Sequence, residues 1–211
     1  MTDLKLIKNK LVQGRAHEVS NLVKEALNNN YDPKELLNKS LIAGMDEIAE
    51  KWRKNEVFIP EVLMAARSMK MAMTHIEPLL INSGIEPIGR IVIGTVKGDL
   101  HDIGKNLVTM MLRGAGFYVE DIGIDQKAEN FLKAVKEKGC TMVGLSALIT
   151  TTMPAMKEII DEFKSQGLRS KVKIGVGGAP VTEGFAKEIG ADGYAADAAR
   201  AVELFRGFVG S

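Results

Sequence analysis

The chain of 211 residues has one cysteine, Cys140. A single thiol cannot close an internal disulfide or build a thiolate cage around a metal. Cys140 stands beside an apolar run, where a buried, inert thiol is the simplest reading. An excess of charge of one sign is missing as well: 28 Lys and Arg stand against 27 Asp and Glu, a formal net charge of +1. That balance removes any bulk electrostatic argument for nucleic acid or an anionic membrane surface. No apolar run is long enough to span a bilayer. Residues 1–10 alternate charged and apolar side chains without an apolar signal core, so a cytoplasmic protein is expected. Two ligand motifs are also missing. There is no G-x-G-x-x-G, so a dinucleotide site has little support. No acidic cluster follows the first predicted strand, which argues against a Mg²⁺-dependent receiver domain.

What is present divides in two. Hydrophobic residues make up 45% and charged residues 26%, ordinary for a soluble globular chain, and the length suits one large domain or two small ones. Before Ser83 the apolar spacing is helical, and four helices are predicted. Leu4, Ile7 and Leu11 mark the first; Val19, Leu22, Val23, Ala26 and Leu27 the second. The third opens with Asp32 as cap, Pro33 at the first helical position and Glu35 placed for a capping box. Its stripe reads Leu37, Leu41, Met45, Ile48 and Trp52. Pro60 opens the fourth, with Val62, Ala66, Met69, Met73, Ile76 and Leu80 on one face. Residues 81–89 carry Gly and Pro without period and read as a linker. The expected division is a helical domain over 1–82, a linker over 83–89 and a second domain over 90–211.

The second part alternates short apolar runs with helical segments. Predicted strands are Ile91–Val96, Tyr118–Ile122, Met142–Ser146, Val172–Val176 and Gly193–Ala195. Predicted helices are Ile103–Arg113, Ala128–Lys138, Pro154–Gln166, Thr182–Glu188 and Ala198–Val209. Continuous apolar runs suit strands buried on both faces. The expected fold class is α/β: a four-helix bundle followed by a flavodoxin-like, Rossmann-like, doubly wound five-stranded parallel sheet. Ligands of such sheets bind at the carboxyl ends of the strands, where the winding reverses.

The loop after the first strand reads Gly98-Asp99-Leu100-His101-Asp102-Ile103-Gly104 and holds the one histidine of this part. Asp99, two residues before His101, stands close enough to bond one ring nitrogen and leave the other free and more basic for a metal. Gly98 and Gly104 would admit a bulky ligand. Taken alone, the loop is better read as a surface histidine capping the next helix, because one histidine is a poor metal site. A single protein ligand makes sense chiefly where a macrocycle supplies the other donors. After the third strand, Ser146, Thr150, Thr151 and Thr152 offer more hydroxyls than the helix cap at Pro154 requires. After the fourth, Gly177-Gly178 permits a close backbone approach or merely a turn. His75, His17 and the eleven methionines are better read as packed or solvated side chains and core filler.

Together, Asp99-x-His101-x-x-Gly104, Ser146-x-Leu148 and Gly177-Gly178 resemble the cobalamin-binding signature of methionine synthase and its relatives. Trp52 and the run Phe58-Ile59-Pro60-Glu61-Val62-Leu63 resemble that family's helical cap. The nearest group is the two-domain corrinoid proteins of methylamine, methanol, betaine and methoxyaryl methyltransferase systems. The resemblance implies a cobalamin (corrinoid, vitamin B12) cofactor cycling between Co(I) and methyl-Co(III). His101 would be the metal ligand, displacing the cofactor's own base, with Asp99 and Thr152 completing a relay that tunes it. Thr152 stands where methionine synthase has Ser, which keeps the hydroxyl donor. The run Gly98, Leu100, Asp102, Ile103 and Gly104 would lie against the cofactor. Ser146, Leu148 and Thr150 would line the slot for the displaced tail, with Gly177 and Gly178 opposite and Ala198 as a further tail contact. Trp52, Ile59 and Val62 match positions covering the methyl-bearing face, Trp52 where methionine synthase has Phe. The linker would act as a hinge.

The function so implied is methyl carriage, without catalysis by this chain alone. A substrate methyltransferase and an acceptor methyltransferase, to tetrahydrofolate or coenzyme M, would be partners, with a corrinoid reductive activase as a third and neither nucleic acid nor membrane involved. A B12-dependent sensor needs an output module, and nothing basic precedes the bundle. An adenosylcobalamin mutase subunit would lack residues 1–80, and a cobalamin storage protein would share every binding residue.

Overall fold

The computed structural model describes residues 3–82 and 86–209. The chain divides into two compact units, one of Met1–Glu86 with Gly114–Gly116, the other of Pro87–Arg113 with Phe117–Ser211. Residues 83–85 of the expected linker lie outside the described residues. Among the described residues no helix is long and apolar enough to cross a membrane.

The first unit is helical. Its elements are α1 (Leu4–Val12), α2 (Ala16–Asn28), α3 (Pro33–Leu36), a π-helical segment (Leu37–Ile42), α4 (Ala43–Arg53) and α5 (Ile59–Asn82). Asp3 caps α1 by accepting from the Lys5 and Leu6 backbone N–H groups. Asp32 caps α3 through Lys34 N–H, with Pro33 at the first helical position as expected. Glu35 does not close a capping box; its carboxylate takes Lys39 Nζ one turn on. The core stripe also departs from the expectation. Leu36, Leu41, Met45 and Ile48 are buried, while Leu37 is only partly so. The cause is the π segment: Leu36 and Leu41 are five residues apart, the span of one π turn, which a 3.6-residue period does not describe. The buried Ser40 hydroxyl donates to the Leu36 carbonyl inside that turn. Gly44 lets α1 approach, since a Cβ there would stand 2.9 Å from Leu11 Cδ2. Val62, Ala65, Ala66, Met69, Ala72 and Ile76 of α5 are buried.

The second unit is the expected α/β fold. Strands β1 (Arg90–Thr95), β2 (Tyr118–Asp121), β3 (Met142–Ser146), β4 (Lys173–Gly177) and β5 (Gly193–Ala195) form one sheet in the order β2-β1-β3-β4-β5. Every pairing is parallel, with Ile91 opposite Met142 and Ser146 opposite Gly177. Helices α6 (Ile103–Gly114), α7 (Ala128–Lys138), α8 (Pro154–Ser165), α9 (Glu183–Ile189) and α10 (Ala198–Val209) connect and follow the strands. The core on one side holds Val92, Phe131, Val143, Leu145, Met156, Ile159, Phe163 and Ile174. Each such side chain, fully buried, contributes roughly 1.5–3 kcal/mol. Cys140 is buried in the same cluster, and burial pushes its thiol pKa up, so it is an apolar filler. The chain leaves β1 toward β2 on one side and resumes at β3 on the other, which puts the winding reversal between β1 and β3.

Candidate functional site

The site grows from the carboxyl end of β1. The Gly98 backbone has φ +82°, the left-handed region that favours glycine, and this turns the chain so that Asp99 points inward. Asp99 has no exposed surface. Its Oδ1 accepts from the His101 backbone N–H at 3.0 Å and lies 2.7 Å from His101 Nδ1. Its Oδ2 accepts from the Leu148 backbone N–H at 2.7 Å and from the Thr152 hydroxyl at 2.8 Å. The Thr152 hydroxyl also lies 2.9 Å from the Ile149 carbonyl, but it has one proton, and the charged carboxylate is the stronger acceptor.

Burial pushes the Asp99 carboxyl up. The Leu148 and His101 backbone donors, the His101 ring and Thr152 outweigh it, and they hold the carboxyl at about 2, below its ordinary 3.8. Asp99 is therefore an anion, and the Nδ1 facing it is the protonated nitrogen. His101 Nε2 is left with its lone pair. The ring is 52% exposed, and Nε2 has no protein partner among the described residues. The His101 backbone is held by Thr95, buried at the end of β1, whose hydroxyl donates to the His101 carbonyl at 2.9 Å.

The apolar residues on either side face outward. Leu100 is 68% and Ile103 78% exposed, and Leu148 and Ile149 are exposed too. Nothing lies within 4 Å of a Cβ built on Gly104. Asp102 is exposed, with Oδ2 taken by Asn106 Nδ2. Among the described residues no group of three or more His, Cys, Asp or Glu could hold an ion. A metal at Nε2 therefore has to bring most of its donors with it, as a macrocycle does. Exposed Leu100 and Ile103 and the open space at Gly104 fit a large flat ligand over the histidine.

Ser146, the last residue of β3, is half-buried; after it Thr150 is exposed and Thr152 buried. Gly177, the last residue of β4, and Gly178 after it have a packing reason of their own. A Cβ on Gly178, whose φ is +134°, would fall 1.8 Å from the Ala147 carbonyl oxygen, and one on Gly177 would fall 2.9 Å from that of Ala195. Their smallness lets the ends of β3, β4 and β5 close together. Ala198 is buried in the first turn of α10, above an Asp197 cap that accepts from Arg200 N–H. In the helical unit Trp52 is half-buried and Ile59 is 47% exposed. Val62 has no exposed surface and so meets no ligand in this conformation. Sequence reasoning missed the Leu148 N–H and the Thr95 hydroxyl. The first is a backbone donor, and the second sits at the end of an apolar run, so neither has a sequence signal.

A family described as B12 binding domain matches residues 89–203, and a second family of the same description matches residues 4–77. A corrinoid protein of Desulfitobacterium hafniense strain Y51 is 39% identical over 213 residues, covering 100% of this chain and 99% of its own. Dimethylamine corrinoid protein 1 of Methanosarcina acetivorans is 44% identical over 179 residues, 84% of each chain. A chain in the crystal structure of the methanol:cobalamin methyltransferase complex of Methanosarcina barkeri matches with a TM-score of 0.86 and 31% identity, over 97% of this chain and 78% of that one. With a buried carboxylate orienting an open imidazole where the sheet's winding reverses, and with both units matched, the chain belongs to the B12-binding family of corrinoid proteins.

Proposed function

We propose that the chain is a corrinoid methyl carrier, which holds a corrinoid through His101 Nε2 and receives and yields a methyl group in a methyltransferase system. The observation that carries the proposal is the pairing of His101 Nδ1 with a fully buried, ionised Asp99, which leaves Nε2 exposed. The bound corrinoid supplies cobalt that takes up and gives away the methyl group. The protein's own work is narrower. Asp99 orients the ring and fixes its proton on Nδ1, which raises the donor strength of Nε2. Thr152 and the Leu148 N–H keep Asp99 ionised and in place. Leu100 and Ile103 offer apolar contact beside the ligating nitrogen. Ser146 and Thr150, with Gly177 and Gly178, are the residues for the displaced tail, and Ala198 joins them. Trp52 and Ile59 are assigned to the methyl-bearing side by the resemblance alone.

The partners are a substrate methyltransferase that loads the methyl group and an acceptor enzyme that removes it to tetrahydrofolate or coenzyme M, with a reductive activase restoring cofactor lost to oxidation. By their names, the relatives serve different donors, dimethylamine in one and methanol in another. Donor choice accordingly belongs to the partner enzyme, and this chain supplies the common carrier. The test is anaerobic loading with cobalamin. Visible spectra follow before and after adding methylamines, methanol, betaine or methoxyaromatics, each with its candidate methyltransferase. Uptake of methyl from one donor and its delivery to an acceptor enzyme is expected. A loaded protein that neither accepts nor yields methyl would fit storage and defeat the proposal.

A further inference from the structure

We propose that Asp125, in the loop between β2 and α7, is a positioning residue for His101. The inference rests on the reading of His101 as cobalt ligand and extends it to a residue whose hydrogen bonds go to Gly98 and Asp99 and not to the ring.

The His101 loop is anchored from two sides of β1. On the β3 side the anchors are Leu148 and Thr152, through the Asp99 carboxylate. On the β2 side the anchor is Asp125. Its Oδ1 accepts from the Gly98 backbone N–H at 2.7 Å, and its own backbone N–H donates to the Asp99 carbonyl at 3.1 Å. One residue thus grips the peptide group before Gly98 and the one after Asp99, and so fixes the two-residue stretch of backbone from which the Asp99 side chain projects. To do so it adopts φ +53°, a conformation few non-glycine residues take and that Asp and Asn tolerate best. The same loop grips the end of β1: Thr95 N–H donates to the Gly123 carbonyl, and Gln126 N–H donates to the Thr95 carbonyl, each at 2.9 Å. Thr95 in turn holds the His101 carbonyl. With the Asp125 carboxylate gone, Gly98 loses its tie on the β2 side, only the Asp125 N–H still holds the Asp99 carbonyl there, and the base under the Asp99–His101 pair loosens.

Three substitutions separate the hydrogen bond from the backbone conformation. Asp125→Asn keeps both the acceptor and the tolerance for positive φ. Asp125→Gly keeps the conformation and loses the acceptor, and Asp125→Ala loses both. Each variant, with histidine labelled by nitrogen-15, is loaded with cob(II)alamin, and electron paramagnetic resonance reads the splitting from the axial nitrogen. The label makes the imidazole distinguishable from the cofactor's own base. The ratio of imidazole-bound to unbound cofactor should fall about tenfold in Asp125→Ala and Asp125→Gly and stay within about twofold in Asp125→Asn. In the cofactor-free proteins, exchange of the Gly98 amide should rise about tenfold in the same two variants and not in the third. Ligation in Asp125→Gly equal to that of the parent would overturn the proposal, because the conformation alone would then suffice. Unchanged Gly98 exchange in Asp125→Gly would overturn it as well. A parent protein without imidazole splitting would instead refute His101 as ligand, and the exchange data would still decide whether Asp125 holds the loop.

Discussion

The two units each pair a histidine with a side-chain oxygen, and the pairs differ in what stands behind the oxygen. In the helical unit His75 Nε2, on α5, lies 2.9 Å from the Ser20 hydroxyl of α2. In the sheet unit His101 Nδ1 lies 2.7 Å from Asp99 Oδ1. Ser20 is a neutral partner that shares one hydrogen bond between neighbouring helices, and the ring is half-buried. Asp99 is a charge with no exposed surface, and two backbone amides and the Thr152 hydroxyl hold it besides the ring. A hydrogen bond alone does not make a histidine a ligand. In the proposed function, a buried anion that fixes the proton on one nitrogen, combined with solvent access at the other, is what suits His101 to that role.

The comparison breaks most visibly if the two rings are removed in turn. His101→Ala should abolish the imidazole signal of bound cobalamin and lower methyl transfer by at least about 100-fold. His75→Ala should leave both unchanged and cost about 1 kcal/mol in urea unfolding. Loss of ligation in His75→Ala would erase the distinction between the pairs. Next in size is Asp99→Ala. It strands the Leu148 N–H and the Thr152 hydroxyl in a buried space, and should cost about 3 kcal/mol of cofactor-free stability in urea. Ser20→Ala, on the other side of the comparison, should cost no more than about 1 kcal/mol.

Acid sharpens the same contrast. Asp99 sits at about 2 in the folded chain against an ordinary 3.8, so the unfolded chain takes up its proton first as pH falls. Its contribution, about 2 kcal/mol, is fully present above pH 4 and is lost as pH drops toward 2. Urea midpoints measured across that range should fall on acidification in the parent. In Asp99→Asn, which starts from lower stability, that part of the slope should be missing. An equally steep acid limb in Asp99→Asn would assign it to other carboxylates.

How far the sequence could be read varied with the range over which each feature is determined. The strands were legible because a parallel sheet covered on both faces requires unbroken apolar runs, and β3 lies where such a run was expected, at Met142–Ser146. The third helical stripe was read one residue out at its start. Leu36 and not Leu37 is buried, since a π turn leaves no mark in a 3.6-residue pattern. The Asp99–His101 pair was legible because its partners are two residues apart. The Thr152 contact crosses fifty-three positions and became visible only through the resemblance. Asp125 was invisible, because half of its grip is made by its backbone and depends on a positive φ. Gly177 and Gly178, at the carboxyl end of β4, were legible as small, but their reason is chain packing against Ala195 and Ala147, a relation no local pattern carries.

The smallest effect concerns the last donor to Asp99. Thr152→Val keeps the shape and removes the hydroxyl, leaving Oδ2 with the Leu148 N–H alone. The cost should be about 1 kcal/mol in urea unfolding, with a few-fold loss of imidazole ligation. Thr152→Ser restores the donor and should stay within about 0.5 kcal/mol of the parent. The same logic predicts no loss of ligation in Ser20→Ala, where the hydroxyl meets the His75 ring and not the proposed ligand. If Thr152→Val leaves ligation untouched, Asp99 orients His101 without help from that hydroxyl. The difference between the two histidines then rests on the buried charge and the backbone amides alone.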